Sequence, residues 1–361
     1  MNDKVTLMKG NEALAMAMIR YGADGYFGYP ITPQSEVLEK LEEEMPWDTT
    51  GMVVLQAESE VAAINMVYGG AMTGKAVCTS TSSPGFSLMQ EGVSYLAASE
   101  VPALLINVQR GGPGLGTIHA SQADYFQACK GGGHGDYHMI VLAPSSVQEM
   151  ADMVALGFDL AFKYRCVSMI LADGTIGQLM EKVVLPEQRP RRIEEQIREQ
   201  CPWAVNGRKG MRPSNVVTSL ELDDDKMEEN NWRFQACYRE IEKNETRCEL
   251  IDVEDCDYLI TAFGTTARIA MKTMELARAE GIKVGMFRPI TLWPFPEKQL
   301  REAAKNVKGI LCVELNAGQM VEDVKLAVEC KMPVEHYGRF GGNVPTPDEL
   351  LNVLKEKLIN K

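Results

Sequence analysis

Three short stretches in the first 120 residues carry side chains that could do chemistry. Tyr29-Pro30-Ile31-Thr32-Pro33 holds a hydroxyl between two prolines that restrict the backbone. It offers Thr32 as a rigid polar contact, or it is a plain connection in which Thr32 or Ser35 caps a helix. Glu58 and Glu60 follow the apolar run 52–56 and open a segment rich in small residues. They serve a helix dipole, or they are carboxylates held at the same sheet edge as the other two stretches. Arg110 precedes Gly111-Gly112-Pro113-Gly114-Leu115-Gly116. That spacing, G-x-G-x-G interrupted by Pro113, is not the G-x-G-x-x-G of a nicotinamide site. The loop either binds a carboxylate through Arg110 or leaves a surface arginine beside a turn.

Other spacings lead elsewhere. Residues 69–75 match G-x4-G-K, but Ala76 stands where a magnesium-binding hydroxyl belongs, and the order is helix then strand, so a glycine-rich turn is expected. His134 and His138 are four apart among glycines that oppose a helix, so a zinc pair is not expected. The nine cysteines are scattered, with no C-x-x-C, which argues against a disulfide framework, a zinc site or an iron–sulfur cluster here. A reducing cytoplasm is the expected compartment.

The elements that must position these groups follow from hydrophobic periodicity. Strands are predicted at 25–29, 52–56, 76–81, 103–109, 139–142 and 167–171, with helices at 11–20, 35–45, 58–72, 84–100 and 145–163. Strands alternating with helices imply a mainly parallel sheet covered on both faces. The chemistry-bearing stretches then lie at carboxyl ends of strands, where open α/β sheets bind ligands. Composition shifts near Pro186 to a charged, irregular connector with one helix at 225–244. A second α/β set begins at 257: strand, helix and strand to 289, a strand at 308–314, and helices at 321–330 and from 347. The domain reading is 1–185, 186–250 and 251–361.

The 361 residues, 45% hydrophobic and 24% charged, suit an ordinary globular protein. A net charge of −13 disfavours nucleic acid and anionic lipid as partners, and no run is long and apolar enough for a membrane span. The 21 methionines read as core filler.

Taken in order, the motifs KGNEA (9–13), GYPITPQSE (28–36), QAESE (56–60), SSPGFSLMQE (82–91), VQRGGPG (108–114), GGGHGD (131–136), FRPITLWPFP (287–296), ELNAGQM (314–320) and GRFGG (338–342) resemble the alpha subunit of 2-oxoacid:ferredoxin oxidoreductases over nearly the whole chain. The resemblance implies a thiamine diphosphate-binding (pyrimidine-domain) fold with a parallel sheet, plus a smaller transketolase C-terminal-like α/β domain. It implies that Glu60, with Glu58 as second choice, exchanges a proton with the coenzyme's aminopyrimidine ring. Pro30 and Ser83 are implied as further cofactor contacts, and Thr32, Arg110 and His119 as oxoacid contacts. Many relatives continue RGGPSTGxPT; here RGGPGLGTIH is similar to the branched-chain (2-oxoisovalerate) type and leaves Thr117, Ile118 and His119 as local candidates.

The diphosphate–magnesium half of such a site needs G-D-G followed by Asn, and Ala172-Asp173-Gly174 lacks the leading glycine. The resemblance therefore implies a beta subunit carrying that half-site, small ferredoxin-like and gamma subunits, magnesium and iron–sulfur clusters on those partner chains, and coenzyme A and ferredoxin as co-substrates. The competing readings are a 2-oxoglutarate-specific alpha subunit, the beta subunit of a lipoate-linked branched-chain dehydrogenase, and a non-catalytic α/β scaffold.

Overall fold

The computed structural model describes residues 5–208, 210 and 212–360. A seven-stranded sheet runs in the order Thr291–Trp293, Ile140–Leu142, Val167–Asp173, Ala103–Gln109, Val77–Thr81, Gly25–Gly28, Val53–Gln56. The last six strands in that order are mutually parallel. The three central strands Val77–Thr81, Ala103–Gln109 and Val167–Asp173 are buried at every residue, as a sheet covered on both faces requires.

The chain leaves Gly25–Gly28 for the edge strand Val53–Gln56, then returns past it to Val77–Thr81. With right-handed crossovers, the helices Ser35–Glu44 and Glu60–Met72 must lie on opposite faces. The packing agrees. Gly10–Tyr21 meets Ser35–Glu44 and Val147–Tyr164, whereas Glu60–Met72 meets Ser83–Ala98. The sheet reverses its winding between Gly25–Gly28 and Val77–Thr81, and the crevice outside their carboxyl ends is the natural ligand site.

The second unit is a five-stranded sheet in the order Val334–Gly338, Gly309–Glu314, Tyr258–Ala262, Val284–Pro289, Cys248–Ile251. Its strands alternate between two cores. Leu259, Ile310 and Cys312 join the core of the first sheet. Ile260, Ala262, Leu311 and Val313 pack with the helices Gly264–Ala279 and Pro347–Leu354. The two units share more than contact. Thr291–Trp293 leaves the second unit to pair antiparallel with Ile140–Leu142. Arg288 donates to both Glu149 oxygens at 2.7 and 2.9 Å and to Glu249 at 2.7 Å.

The elements expected before residue 185 form within a few residues of their predicted bounds. Several features differ, among them the following. Val5–Lys9 is a strand, paired antiparallel with Met180–Val184. The connector holds a short helix, Glu194–Gln200, besides Asp224–Asn244. Cys248–Ile251 straddles the expected boundary at 250 and belongs to the second sheet. No helix among the described residues is long and apolar enough to cross a membrane.

Candidate active site

The site grows from how the helix Glu60–Met72 begins. Ser59 is its cap, and the Ser59 hydroxyl accepts the Ala62 N–H at 3.1 Å. The terminal donor is thus satisfied by a residue other than either glutamate. Glu58 is left in the loop and exposed; Glu60, the first helical residue, is 5% exposed. Its carboxylate accepts no hydrogen bond among the described residues.

The wall facing Glu60 is the start of the helix Ser83–Ala98. A Cβ on Gly85 would fall 2.6 Å from Glu60 Oε1 and closer still to Thr81 Oγ1, so only glycine leaves room there. Thr81 Oγ1 and Ser82 Oγ are both buried without a partner among the described residues. A buried carboxylate, two orphaned hydroxyls and a glycine cradle are together costly unless a polar ligand completes them. A flat aminopyrimidine, with donor and acceptor nitrogens at its edge, suits this set. A metal does not: no group of three or more His, Cys, Asp or Glu side chains among the described residues is arranged to hold one.

Ser83 leads from this wall to the oxoacid candidates. Its hydroxyl contacts Asp124 Oδ2 at 2.6 Å and accepts the Arg110 N–H at 3.0 Å. Its N–H donates to Asn107 Oδ1, and Asn107 Nδ2 donates to the same Asp124 oxygen. Burial pushes the Asp124 carboxyl up, against the hydrogen bonds from Ser83 and Asn107. The Ser83 hydroxyl, expected as a cofactor contact, is thus engaged within the protein, where it orients Arg110. Arg110 is 8% exposed and forms no ion pair among the described residues. Its Nη atoms donate to the carbonyls of Thr32 (2.8 Å) and Leu115 (3.2 Å), and its Nε is buried without a partner. A buried guanidinium held only by carbonyls keeps its full charge for an incoming anion.

Thr32 is exposed and Pro30 half-buried. Thr32 lines an open cleft of about 490 Å³ with Pro33, Glu36, Ile118 and His119. His119 is exposed and pressed against the second unit: a Cβ on Gly342, whose φ is +90°, would fall 2.6 Å from His119 Cβ. The segment behind it is locked there too. Gln122 N–H donates to the Leu315 carbonyl, Gln122 Oε1 accepts the Leu315 N–H, and Asn316 Nδ2 donates to the Gln122 carbonyl. The ELNAGQM stretch therefore holds the far end of the Arg110 loop.

Sequence reasoning placed Thr32, Glu58, Glu60 and Arg110 at carboxyl ends of strands but gave no role to Asn107, Asp124 and Gln122. Asn107 and Gln109, polar and fully buried inside the run ALLINVQ, were the available signal. Asp173 of the incomplete G-D-G is also accounted for. It accepts the Ile176 N–H and, at 2.7 and 2.5 Å, the N–H and hydroxyl of Thr265. It joins the two units, and burial raises its pKa.

The fold is that of a thiamine diphosphate-binding α/β domain joined to a second α/β unit, an architecture shared with transketolase-like folds. The family described as pyruvate flavodoxin/ferredoxin oxidoreductase, thiamine diphosphate-binding, matches residues 16–245, and the pyruvate:ferredoxin oxidoreductase core domain II matches residues 256–350. The chain belongs to this oxidoreductase family. It is 47% identical over 97% of both chains to the ketoisovalerate oxidoreductase subunit VorB of Methanothermobacter marburgensis. It is 34% identical to the 2-oxoglutarate synthase subunit KorA of the same organism, over 96% of this chain and 97% of that one. A solved 2-oxoglutarate:ferredoxin oxidoreductase from Magnetococcus marinus, with 2-oxoglutarate, coenzyme A and succinyl-CoA bound, superposes with a TM-score of 0.84 at 29% identity. That match covers 98% of this chain and 65% of that one. A split-gene transketolase, at 13% identity and TM-score 0.60 over 97% of this chain and 98% of that one, shares the fold.

Proposed function

We propose that this chain is the subunit of a 2-oxoacid:ferredoxin oxidoreductase that holds the aminopyrimidine end of thiamine diphosphate and binds the oxoacid, with 2-oxoisovalerate as substrate. The observation that carries the reading is the buried, unpartnered Glu60 carboxylate facing the Gly85 cradle. Thiamine diphosphate, when bound, supplies the carbon nucleophile for a 2-oxo group. Glu60 would hold the aminopyrimidine end of the coenzyme and, as a buried carboxylate, could exchange a proton with it. Arg110, through its free Nε and its charge, and Thr32, through its hydroxyl, pair with the substrate carboxylate, the group lost as carbon dioxide. The acyl group passes to coenzyme A and the electrons to ferredoxin.

The branched substrate is supported by the higher identity to the ketoisovalerate subunit and by the cleft itself. Beside Thr32 the cleft offers Ile118, His119 and the acidic Glu36, with no lysine or arginine in its lining. A second substrate carboxylate, as in 2-oxoglutarate, would meet the Glu36 carboxylate there, and the Lys9 ammonium beside the cleft is already paired with Glu36 at 3.2 Å.

The diphosphate and magnesium fall to a beta subunit, and the iron–sulfur clusters to small ferredoxin-like and gamma subunits. Exposed apolar side chains suit such a partner: Val61 next to Glu60, Leu88 on the helix that begins at Ser83, and Val53 and Leu55 on the edge strand. Nine free thiols suit a reducing cytoplasm. The test is reduction of a viologen dye by the co-expressed complex with 2-oxoisovalerate, 2-oxoglutarate or pyruvate. The expected outcome is a kcat/KM at least about tenfold higher for 2-oxoisovalerate, corresponding to about 1.4 kcal/mol of discrimination. Equal or reversed preference would refute the branched-chain assignment.

A further inference from the structure

The direction of the Thr32 hydroxyl depends on what holds its backbone, because its side chain makes no hydrogen bond among the described residues. The Thr32 carbonyl is taken by Arg110. The next carbonyl, that of Pro33, accepts from Asn11 Nδ2 at 2.7 Å and from Gln178 Nε2 at 2.9 Å. Both amides also donate to Glu36, Asn11 at 2.8 Å and Gln178 at 2.9 Å to each oxygen. Lys9 Nζ closes the cluster, reaching Glu36 Oε1 and Gln178 Oε1 at 3.2 Å. Asn11 lies in the helix Gly10–Tyr21 just after Lys9, Glu36 in the first turn of Ser35–Glu44, and Gln178 at the end of Gly174–Gln178. Two amides from two helices therefore meet at the Pro33 carbonyl beside the cleft, and Glu36 and Lys9, from a third helix and a strand end, tie those amides together.

Packing alone does not call for this. Asn11 is fully buried, and its Oδ1 has no donor. A leucine of similar volume would leave no orphaned oxygen, so the amide is present for its two N–H groups. Turning the amide over would set oxygen against both the Pro33 carbonyl and the Glu36 carboxylate, which fixes its orientation.

We infer that Asn11 and Glu36, assisted by Gln178, are positioning residues for oxoacid binding: Asn11 and Gln178 hold the Pro33 carbonyl and Glu36 holds those two amides, which fixes the backbone just after Thr32 so that the Thr32 hydroxyl meets the substrate carboxylate alongside Arg110. The inference deepens the proposed function and rests on its reading that Thr32 touches the oxoacid.

The test uses the assembled enzyme with 2-oxoisovalerate and the variants Asn11→Asp, Glu36→Gln, Gln178→Ala and Thr32→Val, alone and paired with Thr32→Val. Asn11→Asp and Glu36→Gln are expected to raise KM roughly tenfold, with kcat changed by less than about threefold and thiamine diphosphate affinity unchanged. Paired with Thr32→Val, each is expected to give the KM of Thr32→Val alone, because each acts through that hydroxyl. A merely structural role would instead lower the active fraction and leave KM where it was. Gln178 is exposed, and its loss leaves Pro33 bonded to Asn11, so Gln178→Ala keeps the test valid if Asn11→Asp does not fold; about a threefold rise in KM is expected. An unchanged KM in the folded variants, or effects that add to that of Thr32→Val, would overturn the inference. An unchanged KM in Thr32→Val itself would overturn the reading of Thr32 and the inference with it.

Discussion

Glu58 and Glu60 are two residues apart, yet only one is placed for chemistry, and a serine makes the difference. With Ser59 capping the helix, Glu60 turns inward beneath Gly85 while Glu58 stays in the loop. Glu58→Gln is therefore expected to leave turnover of the assembled enzyme within about twofold of the parent. Gly85→Ala places a methyl where the Glu60 carboxylate and Thr81 hydroxyl now lie. It is expected to lower kcat by roughly a hundredfold or more, the usual range for a misplaced acid–base group, with dye-linked turnover as the readout. Arg110 has a different signature. Losing a charge-assisted bond of about 1.5–3 kcal/mol to the substrate corresponds to a KM raised roughly tenfold to hundredfold in Arg110→Met. The residue types Thr, Glu and Arg at strand ends were legible in the sequence. The Ser83–Asp124–Asn107 arrangement behind Arg110 was not, because Ser83 lies 41 positions from Asp124 and 24 from Asn107 and no local pattern links them.

At the scale of elements, what was legible is what is buried. The runs ALLINVQ and VSMILAD form fully buried strands, and a continuous apolar stretch between turns announces such a strand. Among the elements that escaped are short edge or ribbon strands such as Met180–Val184, Cys248–Ile251 and Val334–Gly338. Their residues are mostly partly exposed and mixed with charge, so tertiary pairing alone makes them strands. The connector helix Asp224–Asn244 is fastened at its end. Glu245 is buried and accepts from Lys163 and Tyr164 at 2.7 Å and from Arg247 at 2.8 Å. Burial opposes its ionisation, but the bonds from Lys163, Tyr164 and Arg247 outweigh that and hold its carboxyl below the ordinary range. A depressed carboxylate stabilises the fold above its unfolded pKa, and that contribution fades as pH falls through the folded value. Glu245→Gln is thus expected to lower stability at pH 7 by about 1–2 kcal/mol and to differ little from the parent near pH 3. Urea denaturation at the two pH values measures this; an equal deficit at both would mean that the carboxylate charge is not what fastens the helix.

At the scale of the molecule, the two units act as one support. The second sheet lends Thr291–Trp293 to the first, Arg288 bridges to Glu149, and the 315–320 loop anchors the segment that follows Arg110. Val61, next to Glu60, and Leu88, three residues after Gly85, are both exposed. The chain alone is accordingly expected to show no oxoacid-dependent dye reduction, and co-expression with its partner subunits is expected to restore it. Leu88→Asp is expected to weaken that assembly, read as dissociation on size-exclusion chromatography, without lowering the melting temperature of the isolated chain. The most direct test of the central claim is the turnover of the assembled Glu60→Gln enzyme with 2-oxoisovalerate. The expected result is a loss of roughly two to four orders of magnitude in kcat, with subunit composition and melting temperature unchanged, because only the proton-exchanging group is removed. A kcat within about twofold of the parent would contradict it.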